Sequence, residues 1–132
     1  LPQMQNKRRI LAGVYNNELP WPDHVALPPS HMFHSWFTYP IQVDAEIRDD
    51  LAHFLLDQGI YTTMRYPPLH LMPAYGTALG HSGQAVGVAY KSLPVAERMA
   101  NEVLNLPLHP GMSTDDAASV ASAVWEFFKE AK

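Results

Sequence analysis

Two adjacent prolines, Pro67 and Pro68, limit what the middle of this chain can fold into. Proline fixes φ, lacks an N–H and pushes the residue before it out of the helical region. Neither a helix nor an inner strand can run through this point. Residues 59–75 are therefore expected to open as a short strand over 60–64 and close as a stiff loop. A guanidinium (Arg65), a phenol (Tyr66) and an imidazole (His70) fall within six residues of that loop. A guanidinium is a planar fork that donates two parallel bonds to a phosphate or carboxylate. The prolines hold Tyr66 and His70 at a set separation with little entropy left to lose. The expectation is a ligand-facing loop. The competing expectation is that Arg65 pairs with a carboxylate while Tyr66 packs.

Other prolines mark where elements stop. Over residues 3–19, Met4, Leu11, Val14, Tyr15 and Leu19 recur at helical steps, and Pro20 and Pro22 end the pattern. A stiff connector follows, with Pro28 and Pro29 and the apolar anchors Trp21, Val25 and Leu27. Residues 33–43 alternate as a strand: Phe33, Ser35, Phe37, Tyr39, Ile41 and Val43 on one face, His34, Trp36, Thr38, Pro40 and Gln42 on the other. Pro40 implies an edge or a bulge there. Asp44 is a good N-cap for a helix over 45–58 that buries Ile47, Leu51, Phe54 and Leu55, and Gly59 suits a left-handed C-cap.

Residues 76–91 hold Gly76, Gly80, Gly83 and Gly87 and read as a mobile excursion, without the Gly-Lys-Ser/Thr ending of a phosphate loop. A helix from Ser92 to about Val103 has Pro94 in its first turn, where a missing N–H costs nothing. A short strand over 104–108 follows. Ser113 to Asp116 has capping-box spacing ahead of a last helix over 114–130, whose inner face is Ala117, Val120, Ala121, Val124, Phe127 and Phe128. The fold expected is α+β: a small mixed or antiparallel sheet of about three strands, covered by helices.

Totals exclude several function classes. The net charge is −4, and the basic residues are scattered apart from Lys7-Arg8-Arg9, so neither nucleic acid nor a membrane surface is an expected partner. There is no cysteine, which removes disulfides, thiolate metal sites and thiol nucleophiles and suits the cytoplasm. No apolar run approaches the roughly 20 residues of a membrane span. His31 and His34, three apart at a strand entrance, would point to opposite faces, which argues against a metal pair. His109 is expected to be structural. Ser82, His70 and Asp57 make a triad only on paper, because no nucleophile elbow accompanies them. The pairs Asp49-Asp50 and Asp115-Asp116 lie near helix starts, where the helix dipole explains them.

Three stretches in series carry a resemblance. They are Ser35-Trp-Phe-Thr-Tyr-Pro-Ile; Gly59-Ile-Tyr-Thr-Thr-Met-Arg-Tyr-Pro-Pro-Leu-His with Pro73-Ala-Tyr75; and Leu93-Pro-Val-Ala-Glu97 with Leu104-Asn-Leu-Pro-Leu-His-Pro110 and Ser113-x-x-Asp116. Together they resemble the C-terminal part of the DegT/DnrJ/EryC1/StrS family of pyridoxal-phosphate-dependent nucleotide-sugar aminotransferases. The resemblance implies the small domain of the aspartate-aminotransferase (type I) fold. On that expectation residues 1–30 are a linking helix and connector toward a large domain, and residues 31–132 are the small C-terminal domain.

The resemblance also implies amino transfer from glutamate to a keto carbon of a nucleotide-linked deoxysugar, C4 favoured over C3, by a homodimer. The cofactor, pyridoxal 5′-phosphate, is held on a lysine of the large domain. None of Lys7, Lys91, Lys129 and Lys132 stands where that lysine would, so no catalytic residue is expected here and the segment alone should be inactive. A first residue of Leu rather than Met fits a piece of something longer. The family's Pro-x-His loop matches Pro68-Leu-His70 and lies near the sugar or its diphosphate. It makes His70, then Arg65 and Tyr66, then His34 and Trp36, the expected substrate contacts. The rival expectation is a stand-alone or catalytically dead binding module.

Overall fold

The computed structural model describes residues 2–29, 34–72 and 92–130. Among them lie helix α1 (Pro2–Glu18), strand β1 (Tyr39–Gln42), helix α2 (Ala45–Asp57), a 3-10 turn (Leu69–Leu71), helix α3 (Pro94–Glu102), strand β2 (Val103–Leu106) and helix α4 (Thr114–Glu130). The expectations for His31, Phe33, residues 73–75, Ser82 and the excursion 76–91 lie outside the described residues.

β1 and β2 pair antiparallel, with Tyr39 opposite Leu106 and Ile41 opposite Leu104. Two single bridges extend this pair. Ala26 exchanges bonds of 2.8 and 2.9 Å with Gln42 on the outer side of β1, and Thr63 exchanges bonds of 3.1 and 2.9 Å with Asn105 on the outer side of β2. The third strand expected over 60–64 is thus a single bridge, and the sheet is two-stranded. The physical reason lies at both ends of the segment. The N–H groups of Gly59 and Ile60 are spent on closing α2, and the double proline follows at once, so Thr63 alone exchanges backbone bonds with β2. Both bridges are antiparallel. Residues around Thr63 therefore run parallel to β1 with β2 between them, a split β-α-β arrangement crossed by α2. Pro40 faces Asn105, whose own N–H and C=O turn to Thr63, so the absent N–H falls on the outer side of β1.

The strand expected over 33–43 forms only over Tyr39–Gln42. Trp36 sits at φ 50, a left-handed conformation that no strand can pass through. It reverses the side-chain alternation locally: Trp36 turns into the core at 4% exposure, while Phe37 is 63% exposed.

Local signals account for the helix ends. The Asp44 carboxylate accepts from the Glu46 N–H at 3.1 Å. Gly59 adopts φ 77; its N–H donates to Leu56 O and that of Ile60 to Leu55 O, both at 2.8 Å, a Schellman closure. Ser113 and Asp116 form a reciprocal capping box at 2.8 and 3.1 Å.

α1 packs against α4, and α2 against both α3 and α4. Leu11, Ala12 and Tyr15 of α1 share one core with Val120, Ala121 and Val124 of α4, Leu51 and Leu55 of α2, and Tyr39, Ile41 and Leu104 of the sheet. The N-terminal part of the α1 stripe is uncovered, with Met4 and Ile10 exposed. Two buried phenols tie the layers together. Tyr15 donates to Pro107 O at 2.7 Å, and Tyr39 to Asn16 Oδ1 at 2.6 Å. Burial pushes both well above the usual phenol range and keeps them neutral donors. Trp125 Nε1 donates to Glu18 O at 2.7 Å and satisfies a carbonyl at the open end of α1.

Candidate functional site

The Thr63–Asn105 bridge carries the chain out of the sheet straight into Arg65 and Tyr66. Asn105 secures it further by donating Nδ2 to Thr63 O at 3.0 Å. Arg65 is exposed, and no carboxylate pairs with it among the described residues. Tyr66 is 73% exposed, so it does not pack. The peptide bond between them is cis.

Arg65 belongs to two clefts. The first, about 290 Å³, lies between the turn of Arg65 to Pro68 and the C-terminal end of α3 at Met99 to Asn101, with Arg48 of α2 in its wall. The second, about 540 Å³, is floored by Thr63 and Asn105 and walled by Phe37, Tyr61 and His109. One guanidinium thus stands between a cationic cleft and an aromatic one. The sequence reading missed Arg48. Its side chain is only 12% exposed. Nη1 donates to Ala100 O at 3.3 Å, and Nε lies 2.6 Å from Asp49 Oδ1 but off the N–H direction, without an aligned acceptor. The signal available was a cation next to Ile47 on the buried stripe of α2.

His70 is placed elsewhere. It lines neither cleft; its Nε2 lies 3.0 Å from Glu97 Oε1, with 15% of the side chain exposed. The same carboxylate oxygen accepts from Ser92 Oγ at 3.2 Å and from the Leu93 N–H at 2.8 Å. The bond to His70, then that to Leu93, holds the Glu97 carboxyl below its ordinary range. The expectation that His70 stands open beside Arg65 and Tyr66 is corrected to this extent: a partner inside the chain already takes one ring nitrogen. Glu97 was legible only as a helix-start acid.

Trp36 and His34 are also displaced from the Arg65 clefts. Trp36 is buried against Tyr39, with ring centroids 5.6 Å apart, and cannot present its ring to a ligand. His34 stacks on it at 4.1 Å and accepts the Trp36 N–H on Nδ1 at 3.0 Å. This pair supports the left-handed turn. His109, expected to be structural, accepts from the Gly111 N–H at 3.2 Å and also walls the aromatic cleft.

The described residues do not fit pyridoxal phosphate. Lys7 and Lys129 are exposed on α1 and α4, and neither they nor any carboxylate line the two clefts. No cluster of three metal-ligating side chains occurs among the described residues, and no described helix is long and apolar enough to cross a membrane.

The model of the DegT/DnrJ/EryC1/StrS aminotransferase family matches residues 1–125. The chain is 38% identical over 125 residues to a dTDP-4-dehydro-2,3,6-trideoxy-D-glucose 4-aminotransferase of Saccharopolyspora spinosa, covering 92% of this chain and 29% of that protein. It is 33% identical over 128 residues to a dTDP-3-amino-3,4,6-trideoxy-alpha-D-glucose transaminase of Streptomyces venezuelae, covering 96% and 32%. Among solved structures, the aminotransferase TlmJ of Streptoalloteichus hindustanus superposes with a TM-score of 0.84 at 37% identity, over 100% of this chain and 34% of that one. NtdA of Bacillus subtilis, solved with bound PMP, superposes at 0.74 with 27% identity, over 96% and 28%. The chain therefore spans about a third of the length of the relatives it matches.

Proposed function

Because the chain belongs to the DegT/DnrJ/EryC1/StrS aminotransferase family, we propose that it is the small C-terminal domain of a nucleotide-sugar aminotransferase. On this reading residues 1–30 lead in from a large domain. That domain supplies the lysine and the pocket for pyridoxal phosphate, which provides the electron sink for amino transfer from glutamate. The working unit is a cytoplasmic homodimer, and the sugar is aminated at C4. The Saccharopolyspora relative favours C4, and the Streptomyces relative keeps C3 as the alternative.

The observation that carries the reading is Arg65, an exposed guanidinium that lines two clefts and has no carboxylate partner among the described residues. A nucleotide-linked sugar has a diphosphate that such a fork can grip. It also has a flat base that exposed rings such as Phe37 and Tyr61 can stack against. Tyr66, exposed beside Arg65, offers a phenol to the sugar. These groups bind and orient; none of them forms or breaks a bond.

Arg65→Ala in the complete enzyme tests this. A charge-assisted hydrogen bond is worth roughly 1.5–3 kcal/mol, so KM for the sugar nucleotide should rise about 10- to 150-fold. KM for glutamate should stay within about twofold. An equal rise for both substrates would count against the assignment. Running 4-keto and 3-keto sugar nucleotides side by side decides the carbon.

A further inference from the structure

We propose that Asn105 and His109 form a base-reading edge in the aromatic cleft. It selects a nucleobase whose rim carries a ring N–H beside a carbonyl, as in uracil, thymine or guanine. It rejects one whose rim carries a bare ring nitrogen beside an amino group, as in cytosine or adenine. The proposal rests on the nucleotide-sugar reading above and names the class of base within it.

Asn105 supplies the acceptor. It lines the cleft of about 540 Å³ although the residue is only 6% exposed. Its Nδ2 donates to Thr63 O at 3.0 Å, and that bond settles which way round the amide lies, because a carbonyl takes a hydrogen only from the nitrogen. Oδ1 is therefore the other prong. It has no partner among the described residues, yet it is not among their buried unpaired atoms, so a ligand in the cleft can reach it.

His109 supplies the donor. Its Nδ1 accepts the Gly111 N–H at 3.2 Å, so in the neutral ring the hydrogen sits on Nε2, on the side away from Gly111. Gly111 permits the close approach, since a Cβ there would stand 3.1 Å from Nδ1. The turn is closed on its backbone too, with Met112 N–H donating to His109 O at 3.1 Å. Nε2 has no hydrogen-bond partner among the described residues.

The exposed rings of Phe37 and Tyr61 wall the same cleft, and Arg65 is the only guanidinium or carboxylate on its described lining. A flat base stacked on such a ring can be told from another only at its rim. A ring N–H beside a carbonyl matches an acceptor and a donor. The cytosine or adenine rim reverses both, setting a bare nitrogen against Oδ1 and an amino group against Nε2–H. Each reversal loses a bond and leaves two like groups facing each other.

Free nucleotides serve as probes on the complete enzyme. Calorimetry compares UDP with CDP, and GDP with ADP. Two-point base readout is worth about 5- to 150-fold, so the first member of each pair that binds should bind tighter by that factor. His109→Phe keeps a flat ring but has no donor. It should shrink the preference about three- to tenfold, the size of one neutral hydrogen bond, and Asn105→Ala should shrink it by a similar factor. His109→Gln, whose amide places an N–H where Nε2 stood, should restore most of it. Nitrogen–proton correlation spectra of the free protein should show neutral His109 protonated on Nε2.

Equal affinity within a pair overturns the proposal, as does protonation on Nδ1 or failure of all four nucleotides to bind. Variants that weaken both members of a pair by the same factor show a structural role only, and the proposal fails. A UDP preference that His109→Phe removes, in an enzyme that turns over no nucleotide sugar, refutes the aminotransferase reading and leaves the base-reading edge standing.

Discussion

Replacing Asn105 separates two ways of loosening the segment that carries Arg65. Asn105 is 6% exposed, at the centre of the sheet, and gives Nδ2 to Thr63 O at 3.0 Å. That carbonyl also accepts the Asn105 backbone N–H at 2.9 Å. In Asn105→Ala the carbonyl keeps its backbone partner, so the loss is one hydrogen bond, about 1 kcal/mol. In Asn105→Asp a carboxylate oxygen takes the donor's place, facing a carbonyl oxygen with little water to screen it. Losing the bond and burying an unpaired charge together cost about 3 kcal/mol or more.

Native-state hydrogen exchange at the Thr63 amide reads this directly, because that N–H closes the same bridge onto Asn105 O. Exchange should speed up roughly fivefold in Asn105→Ala and about a hundredfold or more in Asn105→Asp. KM for the sugar nucleotide should rise in the same order, since Arg65 follows Thr63 by two residues. An Asp variant as well protected as the Ala variant would refute the reasoning. So would a Thr63 amide that exchanges freely in the unmodified protein.

Gly59→Ala should destabilise by about 1 kcal/mol. The φ of 77 is the whole reason, because an added Cβ meets nothing within 4 Å, and urea unfolding measures it. Asp116 is held below the usual carboxylate range, first by the backbone N–H of Ser113 and then by its hydroxyl. A depressed folded value means its contribution to stability is present above the ordinary aspartate range and lost as pH falls through the folded value. A carbon-detected titration should show the low value, and Ser113→Ala should move it upward, toward the ordinary one. Glu97 behaves with the same sign, so His70→Ala should raise its titration point as well.

What the sequence made legible was local. Asp44, Gly59 and the Ser113–Asp116 box act within four residues of themselves, so the helix ends and the α+β order could be read without knowing what packs where. Strand length could not, because it depends on pairing between distant segments. The alternation of residues 33–38 looked like a strand, but Trp36 turns into the core against Tyr39 from a left-handed backbone. The exposure of Arg65 and Tyr66 agrees with a loop stiffened by two prolines that follow them directly. The orientation of His70 was not legible, because Glu97 lies 27 residues further on. Arg48 reaches the first cleft only through the packing of α2 against α3.

The central claim is that the surface around Arg65 and Tyr66 receives a nucleotide-linked sugar. Exchange footprinting of the complete enzyme with a saturating 4-keto sugar nucleotide tests it most directly. Amides from Tyr61 to His70 should gain protection that Arg65→Ala abolishes, while glutamate alone leaves them unchanged. Protection confined to other parts of the enzyme, with this segment exchanging as it does in the free protein, would contradict the account.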